Sequence, residues 1–180
     1  GKDPLQSYLK QIEIEENDIR TVTSKSFKDV ETVIHLAGLS NDPTAEFNPS
    51  ANREINTFAS INLARLARKC GVKRFVLASS CSVYYKEVHD EVKTYTEDAP
   101  VSPKAPYSLS KLEAEKGIME LASNNFIVTA LRKGTVHGIS PRMRYDLVVN
   151  TMIKNALATK ILKVFCRGIQ WRPIVDINDV

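Results

Sequence analysis

One hundred and eighty residues, 43% hydrophobic and 26% charged, make an ordinary globular chain with material for a core and too little bias for disorder or a collagen-like repeat. Twenty-five Lys and Arg against 21 Asp and Glu leave +4, and no basic run is long enough for a nucleic-acid groove. No stretch approaches the ~20 apolar residues that span a bilayer. Gly1-Lys2-Asp3-Pro4 carries no signal region, and Cys70, Cys81 and Cys166 form no CxxC pair, so neither a zinc knuckle nor a disulfide scaffold is indicated. The expectation is a soluble protein of the reducing cytoplasm that binds neither membrane nor nucleic acid.

In chain order, Ile12-Glu13-Ile14-Glu15 alternates as a short strand, and residues 33–38 read as a buried strand ending in a glycine turn. A helix follows over 49–70, with Ser50 as its N-cap and Gly71 just past its end. Its Ile55, Ala59, Leu63, Leu66, Ala67 and Cys70 recur at helical spacing and should face the core. Residues 74–80 form the next strand, apolar until they end in hydroxyls. A polar loop over 86–106 leads to a second helix over 107–123, and a third strand occupies 126–132. Beyond it come a helix over 144–158, a strand over 161–165 and a final run over 171–176. No internal repeat is visible. Strands alternating with helices predict an α/β fold, a Rossmann-like doubly wound parallel sheet. Ligands then collect at the carboxyl ends of strands, here Ala37-Gly38, Ser79-Ser80 and Gly134-Thr135.

The strongest local signal is Tyr107-Ser108-Leu109-Ser110-Lys111 at a helix start. An i, i+4 pair shares one helix face, and an ammonium beside a phenol favours the phenolate, as does the positive end of the helix. Such a tyrosine can take a proton from an alcohol as hydride leaves it. Ile118 and Ala122 continue the same face, so it should pack further on and open in its first turn. Taken alone, a Tyr and a Lys four apart also suit a solvated helix surface. Ser80, at the end of the strand expected beside this helix, changes the reading, because its hydroxyl can hold the oxygen that Tyr107 deprotonates.

These residues resemble the extended short-chain dehydrogenase/reductase superfamily, in its nucleotide-sugar epimerase/dehydratase branch. Asn17-Asp18-Ile19-Arg20 is similar to the family's Gly-Asp-(Ile/Leu)-Arg segment, and His35-Leu36-Ala37-Gly38 to its His-Leu-Ala-Ala strand end. Glu54-Ile55-Asn56-Thr57 resembles its Asn-x-x-Gly-Thr helix segment, and Ser79-Ser80-Cys81-Ser82-Val83-Tyr84 its Ser-Ser-x-x-Val-Tyr-Gly turn. Tyr107 and Lys111 fall on Tyr-x-x-x-Lys, Arg132 through Gly138 on Leu-Arg-x-x-x-Val-Tyr-Gly, and Arg172-Pro173-Ile174-Val175 with Asp179 on a later family stretch.

The resemblance implies NAD as cofactor (NADP is left open), a nucleotide-sugar substrate and a homodimer. It implies catalytic roles for Tyr107, Lys111 and Ser80. It implies cofactor contacts from Asp18, Ile19, Leu36, Ala37, Gly38, Asn56, Tyr107 and Lys111, and substrate contacts from Ser80, Thr135, Arg142 and Arg172. No metal site is expected. The implied reaction is transient oxidation, as in a UDP-glucose 4-epimerase. The alternatives are a sugar or sterol-like alcohol dehydrogenase or reductase of the same superfamily, and a non-catalytic Rossmann-like binding module.

Departures from the family pattern narrow this. None of the seven glycines makes the Gly-x-x-Gly-x-x-Gly turn that holds the pyrophosphate, so the chain is expected to be the middle of a longer enzyme, without its first βαβ unit and most of its substrate domain. Residues 1–140 then form a partial dinucleotide-binding domain and 141–180 the start of the substrate-binding part. Cys81 and Ser82 stand where 4,6-dehydratases carry Asp-Glu, which disfavours dehydration. Tyr85 replaces a glycine, Thr135 an asparagine, His137 a tyrosine and Asp176 a histidine. His35 reads as structural, His89 as a loop residue and Cys81 as a packed thiol.

Overall fold

The structure is a computed structural model that describes residues 11–40, 42–84, 94–164, 166–169 and 171–180. It divides into two compact units: Asn17–Lys133, and Gly134–Val180 together with the described residues before Asn17. Tyr85, His89 and residue 165, the end of the strand expected over 161–165, lie outside the described residues.

In the first unit, β1 (Thr32–His35), β2 (Arg74–Ser80) and β3 (Ile127–Lys133) form a parallel sheet in the order β1-β2-β3. Val33 pairs with Phe75, and Ser80 with Lys133. This is the parallel α/β arrangement expected from the alternation of apolar runs and amphipathic stretches. Phe75, Leu77 and Phe126 pack with Ala64, Ala67, Ala114 and Ile118 between the sheet and the helices of both crossovers. β1 lies at the sheet edge, with Ile34 exposed.

The first crossover holds a short helix α1 (Asp42–Phe47) and then an uninterrupted helical run: α2 (Pro49–Arg53), a π-helical stretch (Glu54–Ala59) and α3 (Ser60–Lys69). Its N-cap is Asn48, whose side chain accepts from the Ala51 N–H, with Pro49 at the first helical position. That corrects the expectation of Ser50: a proline has no N–H to satisfy and its fixed φ suits the first turn, which moves the cap to the residue before it. The run ends at Cys70, followed by Gly71 at φ 85. The apolar face holds, with Ala59 and Ala67 buried and Ile55, Leu63, Leu66 and Cys70 half-buried. The π turn adds a residue to the helical repeat, so Asn56 with Thr57 and Ala59 with Ser60 turn inward as adjacent pairs.

The second crossover contains α4 (Pro106–Met119), again with proline in its first turn. It stops short of residue 123, so Ile118 is buried while Ala122 lies past the helix end and is exposed.

In the second unit, β4 (Thr135–His137) and β5 (Ile174–Asp176) pair in parallel, and α5 (Val148–Thr159) lies between them in sequence. Gly134 is required there, because a Cβ at that position would lie 2.9 Å from the Pro173 carbonyl oxygen. Residues 12–15 and 161–164 are not strands. Both read as strands by local pattern, but neither has a partner strand among the described residues, and strand pattern without cross-strand pairing does not make a ladder.

Candidate active site

Lys111 is the centre of the site. It lies one turn into α4 beyond Tyr107, is 7% exposed, and its Nζ donates to the Ala78 carbonyl at the end of β2, 3.0 Å away. A Cβ on Gly38 would stand 3.7 Å from that Nζ, so the ammonium lies against the end of β1 as well. Burial first, and then the positive charge of Lys133, push its pKa down to about 8. At pH 7 it remains largely protonated. Its hydrogen bond to Ala78 uses one of three N–H donors, and no other partner occurs among the described residues.

Tyr107 is the second residue of α4, at the positive end of the helix dipole, and is half-buried. Its carbonyl accepts from Ser110 Oγ at 2.7 Å. Ser80 closes β2, and its Oγ caps the short helical turn over Cys81–Val83, accepting from Ser82 N at 3.2 Å and from Ser82 Oγ at 2.9 Å. A hydroxyl carries one donor and two acceptor positions, so both acceptances leave the Ser80 proton available to a ligand.

The backbone after β1 is fixed by Asn56. Its Oδ1 accepts from the Leu39 N–H at 2.8 Å, while its Nδ2 donates to the Leu39 carbonyl at 2.9 Å and to Ser110 Oγ at 3.3 Å. Gly38, at φ 154, sits so close that a Cβ would meet Asn56 Oδ1 at 2.7 Å. Asn56 therefore holds the peptide at the strand end. Leu36, Ala37 and Gly38 are exposed there. Asp18 and Ile19 lie at the start of the unit. The Asp18 carboxylate accepts from the backbone and guanidinium of Arg20, which hold it down to about 2, and Arg20 also pairs with Glu54. Ile19 lines a cleft of about 240 Å³ with Val22, Phe58 and Leu66.

The structure thus brings Ser80, Lys111, Gly38 and Asn56 to the carboxyl ends of β1 and β2, with Tyr107 in the first turn of the helix that carries Lys111. Thr135, Arg142 and Arg172 belong to the other unit. Thr135 begins β4 and its N–H donates to the Pro173 carbonyl, whereas Arg142 and Arg172 are exposed.

A second set of residues centres on Glu115, which was not singled out from the sequence. Glu115, one turn beyond Lys111, is buried and accepts from Ser79 Oγ at 2.7 Å and from the Arg132 guanidinium in two places. Arg132 also donates to the Tyr84 hydroxyl at 2.6 Å, and the Tyr84 ring stacks on Tyr95. Lys111 and Glu115 therefore pin one face of α4 to consecutive residues of β2. Extending the Tyr107–Lys111 face by four residues finds Glu115. His35, read as structural, is buried against Ser60 Oγ at 2.8 Å, and burial, with the charge of Lys111, pushes its pKa down to about 4. Among the described residues no group of His, Cys, Asp and Glu is arranged to hold a metal ion, and no helix is long and apolar enough to cross a membrane.

Residues 5–180 match the model of the NAD dependent epimerase/dehydratase family. The chain belongs to that family. Among its curated relatives is the UDP-glucuronate 4-epimerase of Thermodesulfobacterium geofontis, 30% identical over 84% of this chain and 46% of the relative. Among solved structures, the NAD-dependent NDP-hexosamine 5,6-dehydratase TunA is 30% identical, with a TM-score of 0.78 over 91% of this chain and 53% of TunA. MoeE5 in complex with UDP-glucuronic acid and NAD is 27% identical, with a TM-score of 0.79 over 92% of this chain and 55% of MoeE5. This member of the epimerase/dehydratase family spans about half the length of these relatives. Its own residues fit a dinucleotide: a buried ammonium with two unspent donors suits ribose hydroxyls, and the Gly38 turn presents backbone without a side chain.

Proposed function

We propose that the protein carrying this chain is an NAD-dependent nucleotide-sugar epimerase of the UDP-glucose 4-epimerase type. The observation that carries the reading is the placement of Lys111, a buried, protonated ammonium on the helix face of Tyr107 and against the strand end that presents Ser80. Tyr107 removes the proton from a sugar hydroxyl, aided by the helix N-terminus and by Lys111, which both favour the phenolate. Lys111 also donates to the nicotinamide ribose. Ser80 donates to the reacting oxygen and fixes its direction, while its two acceptances from Ser82 hold the hydroxyl still. NAD, when bound, would supply the hydride acceptor and donor, and an epimerase would release no reduced cofactor.

In this reading Asp18, Ile19, Leu36, Ala37, Gly38 and Asn56 build the cofactor side, with Asn56 acting through the Leu39 peptide. Thr135, Arg142 and Arg172 contact substrate, the guanidiniums being suited to a diphosphate. Residues 1–140 serve the dinucleotide and 141–180 begin the substrate-binding part of a homodimer. The relatives include both 4-epimerases and a dehydratase. The epimerase reading is favoured by Cys81 and Ser82, which supply no carboxylic acid beside Ser80 for water elimination. The test is to incubate the complete gene product with NAD and a UDP-hexose or UDP-hexuronate, following sugar configuration by NMR and reduced nicotinamide by absorbance. The 4-epimer with no net reduced cofactor is expected. Stoichiometric reduced cofactor would instead establish a dehydrogenase, and a 4-keto-6-deoxy product a dehydratase.

A further inference from the structure

Lys133 is the last residue of β3 and pairs in register with Ser80. Successive side chains along a strand point to opposite faces, and paired residues of neighbouring parallel strands share a face. Ser79 and Arg132 both reach Glu115 on α4, which assigns their face to the helix side of the sheet. Ser80 and Lys133 therefore leave the sheet together on the other face, at its carboxyl end.

Lys133 is half-buried and makes no hydrogen bond or ion pair among the described residues. Its charge is close enough to Lys111 to disfavour the protonated form there. Glu115, the buried carboxylate of this region, is committed to Ser79 and Arg132 on the opposite face. Among the described residues no carboxylate pairs with Lys111 or Lys133, an arrangement that costs free energy until an anion arrives. Tyr107 and Ser80 fix where the reacting sugar hydroxyl lies, and a group within lysine reach of Ser80 belongs to the sugar rather than to a remote phosphate. On a pyranose reacting at C4, the neighbouring substituent at C5 is a hydroxymethyl group in a hexose and a carboxylate in a uronic acid.

We propose that Lys133 is a specificity-determining residue that pairs with the carboxylate of a nucleotide-linked uronic acid whose sugar is held at Ser80. The inference rests on the nucleotide-sugar reading above and adds the charge of the sugar. Charge-assisted hydrogen bonds contribute roughly 1.5–3 kcal/mol, which is about ten- to hundredfold in affinity.

The experiment is calorimetric titration of the NAD-loaded complete protein with UDP-glucuronate and with UDP-glucose, in the native form and as Lys133→Met and Lys133→Arg. The readout is the ratio of the two affinities, which does not depend on turnover. We expect the native protein to favour UDP-glucuronate by about tenfold or more. Lys133→Met should bring the ratio near one, and Lys133→Arg should keep most of it. Equal binding of the two sugars by the native protein, a ratio unchanged in Lys133→Met, or binding of neither sugar would each overturn the proposal. Absence of epimerisation alongside a Lys133-dependent ratio would sink the epimerase reading alone. Epimerisation of UDP-glucose with no preference for the carboxylate would sink this inference alone.

Discussion

The two units of the chain are stabilised differently. Among the described residues, every buried one except Asn150 lies in Asn17–Lys133. That unit keeps an apolar core on the helix side of its sheet and, at the carboxyl end, a polar layer in which Lys111, Glu115, Asn56, Ser79 and Ser110 are buried with partners. In Gly134–Val180, by contrast, Ile139 is 93% exposed, and Trp171 and Ile174 are exposed beside the three-residue strand pair. The first unit orients Lys111, Asn56 and Ser80 with its own groups. The second presents Thr135, Arg142 and Arg172 with much less packing beneath them.

Substitutions should therefore separate chemistry from support most sharply in the first unit. The largest expected effect is on turnover. Tyr107→Phe should leave the fold intact and lower the rate by about a hundredfold or more, as loss of a general base does. Steady-state kinetics with circular dichroism checks this, and near-normal turnover would remove Tyr107 from the reaction.

The next effect is on stability. Arg132–Glu115 is a largely buried pair, whereas Arg144–Asp146, in the second unit, is exposed. Breaking a buried pair costs about 3–5 kcal/mol and an exposed one less than about 1. Glu115→Gln should accordingly lower the urea midpoint far more than Asp146→Asn. Equal shifts would mean that the polar layer does not hold the first unit together.

The third effect is pH-dependent. Unfolded His35 takes up a proton near pH 6.5, but in the folded chain it does so only near 4. Between these values the unfolded state binds more protons, so stability is present above pH 6.5 and is lost as pH falls toward 4. The contribution is about 3 kcal/mol. Urea unfolding at pH 7 and at pH 4.5 should show a smaller loss in His35→Gln than in the native chain. An identical slope would assign the acid sensitivity to other groups.

Much of this was legible in the sequence, for physical reasons. The three sheet strands are apolar runs with a covered face; Ser80 closes β2, Tyr107 opens α4 and Lys111 lies one turn on, but spacing alone also fits a solvated helix face, and their roles come from the family resemblance. The N-cap lies two residues before Ser50, a favoured capping type, because Pro49 takes the first helical position and leaves the cap to Asn48. The alternation at residues 12–15 misled because a strand needs a partner as well as a period. The π turn left no signal, since it turns inward Asn56, Thr57 and Ser60, residues that hydropathy assigns to solvent. Lys133 falls on an unspecified position of the Leu-Arg-x-x-x-Val-Tyr-Gly stretch. Only the register of β2 with β3 sets it beside Ser80.

The central claim is that a sugar hydrogen leaves as hydride and returns within the same site while Tyr107 handles the proton. Its most direct measurement is epimerisation of a UDP-sugar deuterated at C4 by the complete protein in ordinary water, with product analysed by mass spectrometry and NMR. The account predicts that deuterium stays at C4 of the epimer and that Tyr107→Phe slows the conversion without altering retention. Replacement of the label by solvent hydrogen at C4 would contradict it, because that hydrogen would then have left as a proton.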